Sequence, residues 1–148
     1  MFALVTEENL EAAARVHALS WRESHKGFCS AEFVAAHTTA RQMVYIRGEM
    51  ERGRRFYLLL LGDPKGVVSV CGRLIGNLYV LPGEQRRGYG TKLLHFAEGL
   101  CTGTPQLWVL SNNLAAQTLY RRCGYVFTGE EKRLSGNLAE LEMVRSAV

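Results

Sequence analysis

The chain has 148 residues, a formal net charge of +4, 47% hydrophobic residues and 22% charged residues. That length suits one domain, 1–148, with enough chain to bury a core, and the balance is that of a globular protein. The modest positive charge favours an anionic ligand; with no basic run interleaved with aromatics it gives no ground for nucleic acid, and the arginine cluster at 52–55 reads as a solvated loop.

Met1-Phe2-Ala3-Leu4-Val5 is followed at once by Thr6-Glu7-Glu8, so no signal-peptide pattern is present, and no apolar run approaches the length of a membrane span. Cys29, Cys71, Cys101 and Cys123 form no C-x-x-C pair, and the four histidines form no H-E-x-x-H pattern. These features predict reduced thiols in a cytoplasmic protein, with no metal and no membrane partner.

In chain order, Thr6 is the expected cap of a first helix whose apolar side runs through Leu10, Ala13, Ala14, His17, Ala18 and Trp21 and which ends near Lys26-Gly27. Ser30 can cap a second helix, and 39–51 continues helically. Residues 56–61 form a buried strand, 62–66 turn the chain, and 67–71 pair back on it. The short connection 72–76 predicts a second hairpin into the strand 78–81, which Pro82-Gly83 ends. A polar loop follows, then a helix from Thr91 through Leu93, Leu94 and Ala97. Residues 107–110 form a further strand. Asn113 caps a helix through Tyr120 and Cys123, Gly124 stops it, and strands at 125–127 and 138–144 close the chain. This order predicts an α+β, three-layer fold: a mixed, mostly antiparallel sheet of six to seven strands flanked by helices on both faces.

The chemistry concentrates in 77–94, where an apolar strand feeds the basic, glycine-rich loop Gln85-Arg86-Arg87-Gly88-Tyr89-Gly90 and that loop opens a helix. Free backbone N–H groups, a positive dipole end and glycines that admit close approach make an anion site. Gly83 and Gly88 have P-loop separation, but Tyr89 and Gly90 stand where that motif needs Lys and Ser or Thr. Gly88-Tyr89-Gly90 does not complete a dinucleotide fingerprint either, because Leu93 takes the third glycine position.

Gln85-x-x-Gly88-x-Gly90 after Leu-Tyr-Val-Leu-Pro resembles the acyl-coenzyme A loop of the GNAT superfamily of N-acetyltransferases. A second stretch, with Asn113, Ala116, Tyr120 and Gly124-Tyr125, resembles that family's N-x-x-A-x-x-x-Y-x-x-x-G-F/Y signature. Pro64-Lys65-Gly66-Val67-Val68 and Ser20-Trp21-Arg22 are also similar to family segments, so the likeness spans most of the chain.

The resemblance implies acetyl transfer from acetyl coenzyme A to a primary amine of a small molecule or peptide, directly in a ternary complex. It puts Leu78, Tyr79 and Val80 along the acetyl group and pantetheine arm, with a backbone N–H at Leu78 as oxyanion donor. Gln85, Arg86, Arg87, Gly88, Tyr89, Gly90 and Thr91 would surround the pyrophosphate, and Asn113 would either bond the arm or cap its helix. Tyr120 would protonate the departing sulfur, for which a phenol near pKa 10 is suited. Leu74 and Trp108 stand where relatives often carry a glutamate, which leaves the general base to an ordered water, His25 or Glu23. Trp21, His25 and Trp108 are candidate substrate residues, and Phe28, Tyr45 and Tyr125 are further candidates to line the acceptor groove. The alternatives are a coenzyme A-binding sensor that has lost catalysis and an acyltransferase for longer chains; a homodimer through an exposed strand is left open.

Overall fold

The computed structural model describes residues 1–146; residues 147 and 148 of the expected 1–148 domain lie outside the described residues. The order is β1 (Phe2–Leu4), α1 (Leu10–His25), α2 (Ala31–Ala35), α3 (Thr39–Glu51), β2 (Arg55–Leu61), β3 (Asp63–Cys71), β4 (Leu74–Val80), α4 (Tyr89–Glu98), β5 (Gln106–Leu110), α5 (Leu114–Arg122), β6 (Tyr125–Ser135) and β7 (Leu138–Arg145). The seven strands form one sheet in the order β1-β2-β3-β4-β5-β7-β6, antiparallel throughout except where β4 meets β5. The expected mixed, mostly antiparallel sheet is therefore what the chain forms.

Two buried clusters flank the sheet. One holds Leu93, Leu94 and Ala97 of α4 against Val68, Val70, Ile75, Leu107, Val109 and Met143. The other holds Leu10, Ala13, Ala14 and Val16 of α1 and Ile46 of α3 against Phe56, Leu58 and Val67. Alternate residues of the same strands feed opposite clusters, as pleated geometry requires. Each fully buried leucine of α4 contributes on the order of 2 kcal/mol by leaving water. Gly66 lets α4 sit this close: a Cβ there would lie 2.7 Å from Leu93 Cδ1 and 2.7 Å from the Tyr79 carbonyl oxygen.

Local departures from the expectations have local causes. α1 starts at Leu10, and Thr6 does not cap it; its N–H instead donates to Asn9 Oδ1 at 2.7 Å, so 6–9 form a turn before the helix. β1 is an edge strand of three residues, too short to show alternation, and it exists because Phe2 pairs with Leu59 and stacks on Phe96 at 4.0 Å. The turn expected over 62–66 needs only Gly62, at φ +77°, and β3 takes in Pro64 beyond a register shift. The reversal before β4 needs only Gly72-Arg73, so Leu74, Ile75 and Gly76 belong to the strand. α4 starts at Tyr89 rather than Thr91, and β6 runs on to Ser135. Ser30 and Asn113 do cap their helices, accepting from Phe33 N at 3.2 Å and Ala116 N at 3.1 Å.

Candidate active site

β4 and β5 pair at a single position, Leu74 with Gln106, while the far edge of β5 pairs with β7 along its length. The two parallel strands therefore splay from their common end into a wedge through the sheet. β4 carries a bulge inside this wedge. Tyr79 pairs with Val67 and Gly76 with Ser69, leaving Asn77 and Leu78 opposite Val68 alone. Asn77 adopts φ +49°, a left-handed conformation that Asn tolerates better than most residues. Ile75, Leu78 and Val80 face the α4 side, while Tyr79 faces the α1–α3 side with Asn77. Among the described residues Leu78 has no register partner on either neighbouring strand, so the regular ladder is interrupted at this point of the wedge.

The loop at the wide end of the wedge has the backbone geometry that suits an anion. Gly88 occupies the N-cap of α4 at φ +81° and offers no side-chain cap, which leaves the first-turn N–H groups of Tyr89, Gly90 and Thr91 open. Among the described residues the N–H groups of 85–91 have no backbone acceptor outside the helix. A Cβ on Gly88 would meet nothing within 4 Å, whereas one on Gly90 would lie 3.1 Å from Leu119 of α5. Gly88 thus keeps the approach open and Gly90 lets α4 pack beside α5. Glu84 braces the loop through Lys65 at 3.2 Å and Arg87 at 3.4 Å. Gln85 donates from Nε2 to the Val80 carbonyl at 3.4 Å, which makes it a shaping residue. Arg86, at φ +65°, has no side-chain partner among the described residues. An uncapped helix start, a left-handed glycine and an unpaired arginine fit a pyrophosphate.

α5 closes the α4 side of the wedge. Tyr120 is only 8% exposed, its ring lies 6.1 Å from that of Tyr125, and its hydroxyl has no hydrogen-bond partner among the described residues. Burial pushes the phenol up to about 12, so it keeps its proton at neutral pH. Burial raises Tyr79 as well, and the neighbouring Tyr120 adds to that rise. Asn113 spends its Oδ1 on the helix cap, which leaves only its amide NH2 to a ligand.

On the opposite face, α1, α3 and β4 enclose a cavity of about 310 Å³ beside the bulge. A polar chain runs through its floor. Arg54 donates to Ser69 Oγ at 3.2 Å, Ser69 donates to Asn77 Oδ1 at 2.8 Å, and Asn77 Nδ2 lies 3.1 Å from His17 Nε2 and 3.2 Å from Tyr45 Oη. A guanidinium can only donate, and this fixes the direction of the chain. His17 Nε2 accepts from Asn77, so its Nδ1 carries the proton; Gln42 Nε2 lies 2.8 Å from that Nδ1, and because two donors cannot bond we assign the carboxamide with its oxygen turned to the ring. Burial, with the charges of His37 and His25, pulls His17 down to about 4, so it is neutral at pH 7. Gly76 leaves room for this chain: a Cβ would lie 2.9 Å from Arg54 Nη1.

A family model for the GNAT acetyltransferase domain matches residues 52–127, slightly more than half of the chain. The chain belongs to the GNAT acetyltransferase family. Solved structures of similar fold include a GCN5-related N-acetyltransferase from Rhodopseudomonas palustris, 24% identical with a TM-score of 0.77 over 99% of this chain and 94% of that one. PaiA N-acetyltransferase from Thermoplasma acidophilum, solved with coenzyme A, is 17% identical with a TM-score of 0.69 over 96% and 98%. Ribosomal-protein-alanine N-acetyltransferase from Brucella melitensis is 14% identical with a TM-score of 0.69 over 98% of both chains. No curated protein sequence matches the chain.

Within this GNAT fold the residues expected from sequence divide between two faces. Leu78, Val80, Gln85–Thr91, Asn113 and Tyr120 gather around the wedge and its loop. Trp21 lines the α1–α3 cavity, but His25 does not. His25 stacks on one face of Trp21 at 3.9 Å while His37 covers the other at 3.5 Å. Its Nδ1 lies 2.8 Å from the Trp21 carbonyl oxygen and 2.8 Å from Ser24 Oγ. His25 therefore supports the Trp21 wall from outside the cavity, and Glu23 is paired with Lys26 at 2.9 Å. Trp108 lies across the wedge with Lys132 Nζ 4.1 Å over its ring.

Sequence reading named Tyr45, which lines the cavity, and missed Asn77, Gln42, Arg41 and Glu140. Glu140 and Glu142 share a face of β7; Glu142 is held by Thr128 and Gln106, while the Glu140 carboxylate has no side-chain partner among the described residues. Its charge contributes to raising Tyr79. The alternation of 138–144 was the one available signal, since it puts both acids on one side of a strand next to β5.

Proposed function

We propose that the chain, as one domain over 1–148, is an N-acetyltransferase that takes acetyl coenzyme A in the wedge and a primary amine from the α1–α3 cavity, with transfer in a ternary complex. The observation that carries this reading is the splay of β4 from β5, which opens the sheet between the N–H groups of the α4 start and the polar cavity. Acetyl coenzyme A supplies the thioester carbonyl that the amine attacks. Leu78 N–H, at the bulge where the register breaks, is the donor suited to negative charge on that carbonyl oxygen. Tyr120 keeps its proton and has no other partner, so it can give that proton to the departing sulfur. Glu140, the unpaired carboxylate on β7, is the side chain suited to accept the amine's proton through water. Burial raises both Cys101 and Cys123, which makes them poor nucleophiles and favours direct transfer over a covalent enzyme intermediate. The four free cysteines suit a cytoplasmic setting.

The test is thiol release from acetyl coenzyme A with an amine panel, run beside calorimetry of coenzyme A binding. Tyr120→Phe should lower kcat by about 100-fold, the scale of a lost general acid, and leave the coenzyme A Kd within about twofold. Unchanged turnover in that variant removes Tyr120 from the reaction; coenzyme A that fails to bind the wild type overturns the whole reading.

A further inference from the structure

Resting on that acceptor site, we infer that the α1–α3 cavity selects a small amine that carries its own anionic group, a carboxylate above all, with Arg41 as the residue that holds it.

Charge is the first argument. Arg41 is the one full cation among the cavity's lining side chains, and no aspartate or glutamate lines it. Arg41 is exposed and its guanidinium has no hydrogen-bond or ion-pair partner among the described residues, unlike Arg47, which clasps Glu7 at 2.9 Å on the same helix. It stands in the first turn of α3, where a cation opposes the helix dipole and no acid compensates it. A cavity of this kind repels a polyamine or an aminoglycoside, whose further ammonium groups would meet Arg41 without a counter-charge.

Size and polarity are the second argument. About 310 Å³ lies at the low end of small-ligand cavities and holds a compact molecule. Two of its walls are braced. Trp21 is clamped between His25 and His37, and Arg22 ties the chain before α3 to α1 by donating to the His37 carbonyl at 2.7 Å. Both ring nitrogens of His17 are engaged, so the floor has no free base to draw a proton. Tyr45 Oη accepts from Asn77 and keeps its own proton to donate, a second group suited to an acceptor's oxygen.

Polarity along the site is the third. The positive end, Arg41, lies on α3, while the unpaired acid, Glu140, lies on β7 across the wedge. A zwitterion fits this axis in one orientation: its acid toward α3 and its amine toward β4 and the wedge. Arg41 then orients the nucleophile and does not touch the reacting atoms.

The decisive experiment pairs molecules that differ only in the anion. Small amino acids and aminoalkyl phosphates would be compared with the amides of the same amino acids, with diamines and with short peptides whose free amine is remote from any acid. Wild-type enzyme should favour the anionic amines by about tenfold or more in kcat/KM over their amides, the scale of a charge-assisted contact. Carboxylate and phosphate arms identify which anion is preferred. Arg41→Gln should raise KM for the anionic amine about tenfold with kcat little changed and leave the amide unaffected, and Arg41→Lys should recover part of the loss. Calorimetry of the same compounds on coenzyme A-saturated protein keeps the inference open to failure without turnover. Amides, diamines or peptides used as well as the acids, or no acid bound at millimolar concentration, overturns it while leaving the acetyltransferase reading intact. Absence of coenzyme A binding would overturn both.

Discussion

The two halves of the site are made of different materials. On the cofactor side, the working groups are backbone: unpaired N–H groups of 85–91, the bulged Leu78 and a left-handed Gly88, nearly all within one continuous stretch. On the proposed acceptor side they are side chains drawn from α1, α3, β3, β4 and the residue just before β2, joined in the chain Arg54–Ser69–Asn77–His17–Gln42. A backbone site tolerates changes of side chain around it and needs special residues only where φ or space demands them. A side-chain network fails when any buried member is replaced by a group that cannot bond. The difference predicts that damage should be larger on the acceptor side, and three measurements rank it.

The largest effect should come from Asn77→Leu. The leucine orphans His17 Nε2, which costs about 2 kcal/mol, and removes the acceptor of the Ser69 hydroxyl proton, which costs about 1 kcal/mol because Arg54 still donates to Ser69 Oγ; urea unfolding should report a loss of about 3 kcal/mol before backbone strain is added. The left-handed φ of +49° adds strain that leucine relieves less well than asparagine. Gln85→Leu, which removes only one long contact to the Val80 carbonyl on the cofactor side, should cost less than about 0.5 kcal/mol. Equal losses in the two variants would erase the contrast.

A smaller effect should follow pH. His17 titrates at about 4 in the fold and near 6.5 once unfolded, so the unfolded chain takes up a proton that the folded chain refuses. Stability is then full above pH 6.5 and falls as pH drops toward 4, by about 3 kcal/mol across that window and no further below it. Paired carboxylates such as Glu142 also lose their partners in acid, so the informative quantity is the difference between wild type and His17→Gln. That difference should shrink by most of this amount between pH 7 and pH 4. A constant difference would mean that His17 is not held neutral by its burial.

Legibility in sequence followed the same division. The strand, Gly88, Gly90 and the helix beyond them declare an anion site because turn chemistry and helix starts are local, and the motif through Asn113 and Tyr120 is local too. The sheet was legible for the same reason, apart from β1, whose three residues gain their structure from pairing with β2. The proposed acceptor cavity was legible only in its aromatic residues Trp21 and Tyr45. His17 falls on the apolar stripe of α1 and reads as core, and nothing near it names Gln42, 25 residues away, or Asn77, 60 residues away. Asn77 itself looks like a poor strand residue until the bulge on β4 gives it a reason. Arg41 is one arginine among many on a helix surface until the cavity beside it is seen to lack any acid.

Gly88→Val probes the cofactor side at the one point where backbone chemistry has no substitute. A β-branched residue at φ +81° is strained by about 1–2 kcal/mol, yet its Cβ meets nothing within 4 Å, so the fold should survive with a modest loss. Relief of that strain would turn the start of α4 and misdirect the N–H groups of Tyr89, Gly90 and Thr91. Coenzyme A affinity should fall about tenfold, or about 1.4 kcal/mol, while the acceptor KM stays near wild type. Gly88→Asn should lie between the two, because Asn enters the left-handed region at lower cost. A graded series in Kd alone identifies the loop backbone as the seat of the phosphates. An affinity that ignores both substitutions would shift the seat to side chains such as Arg86, and the contrast between a backbone-built and a side-chain-built half would no longer hold.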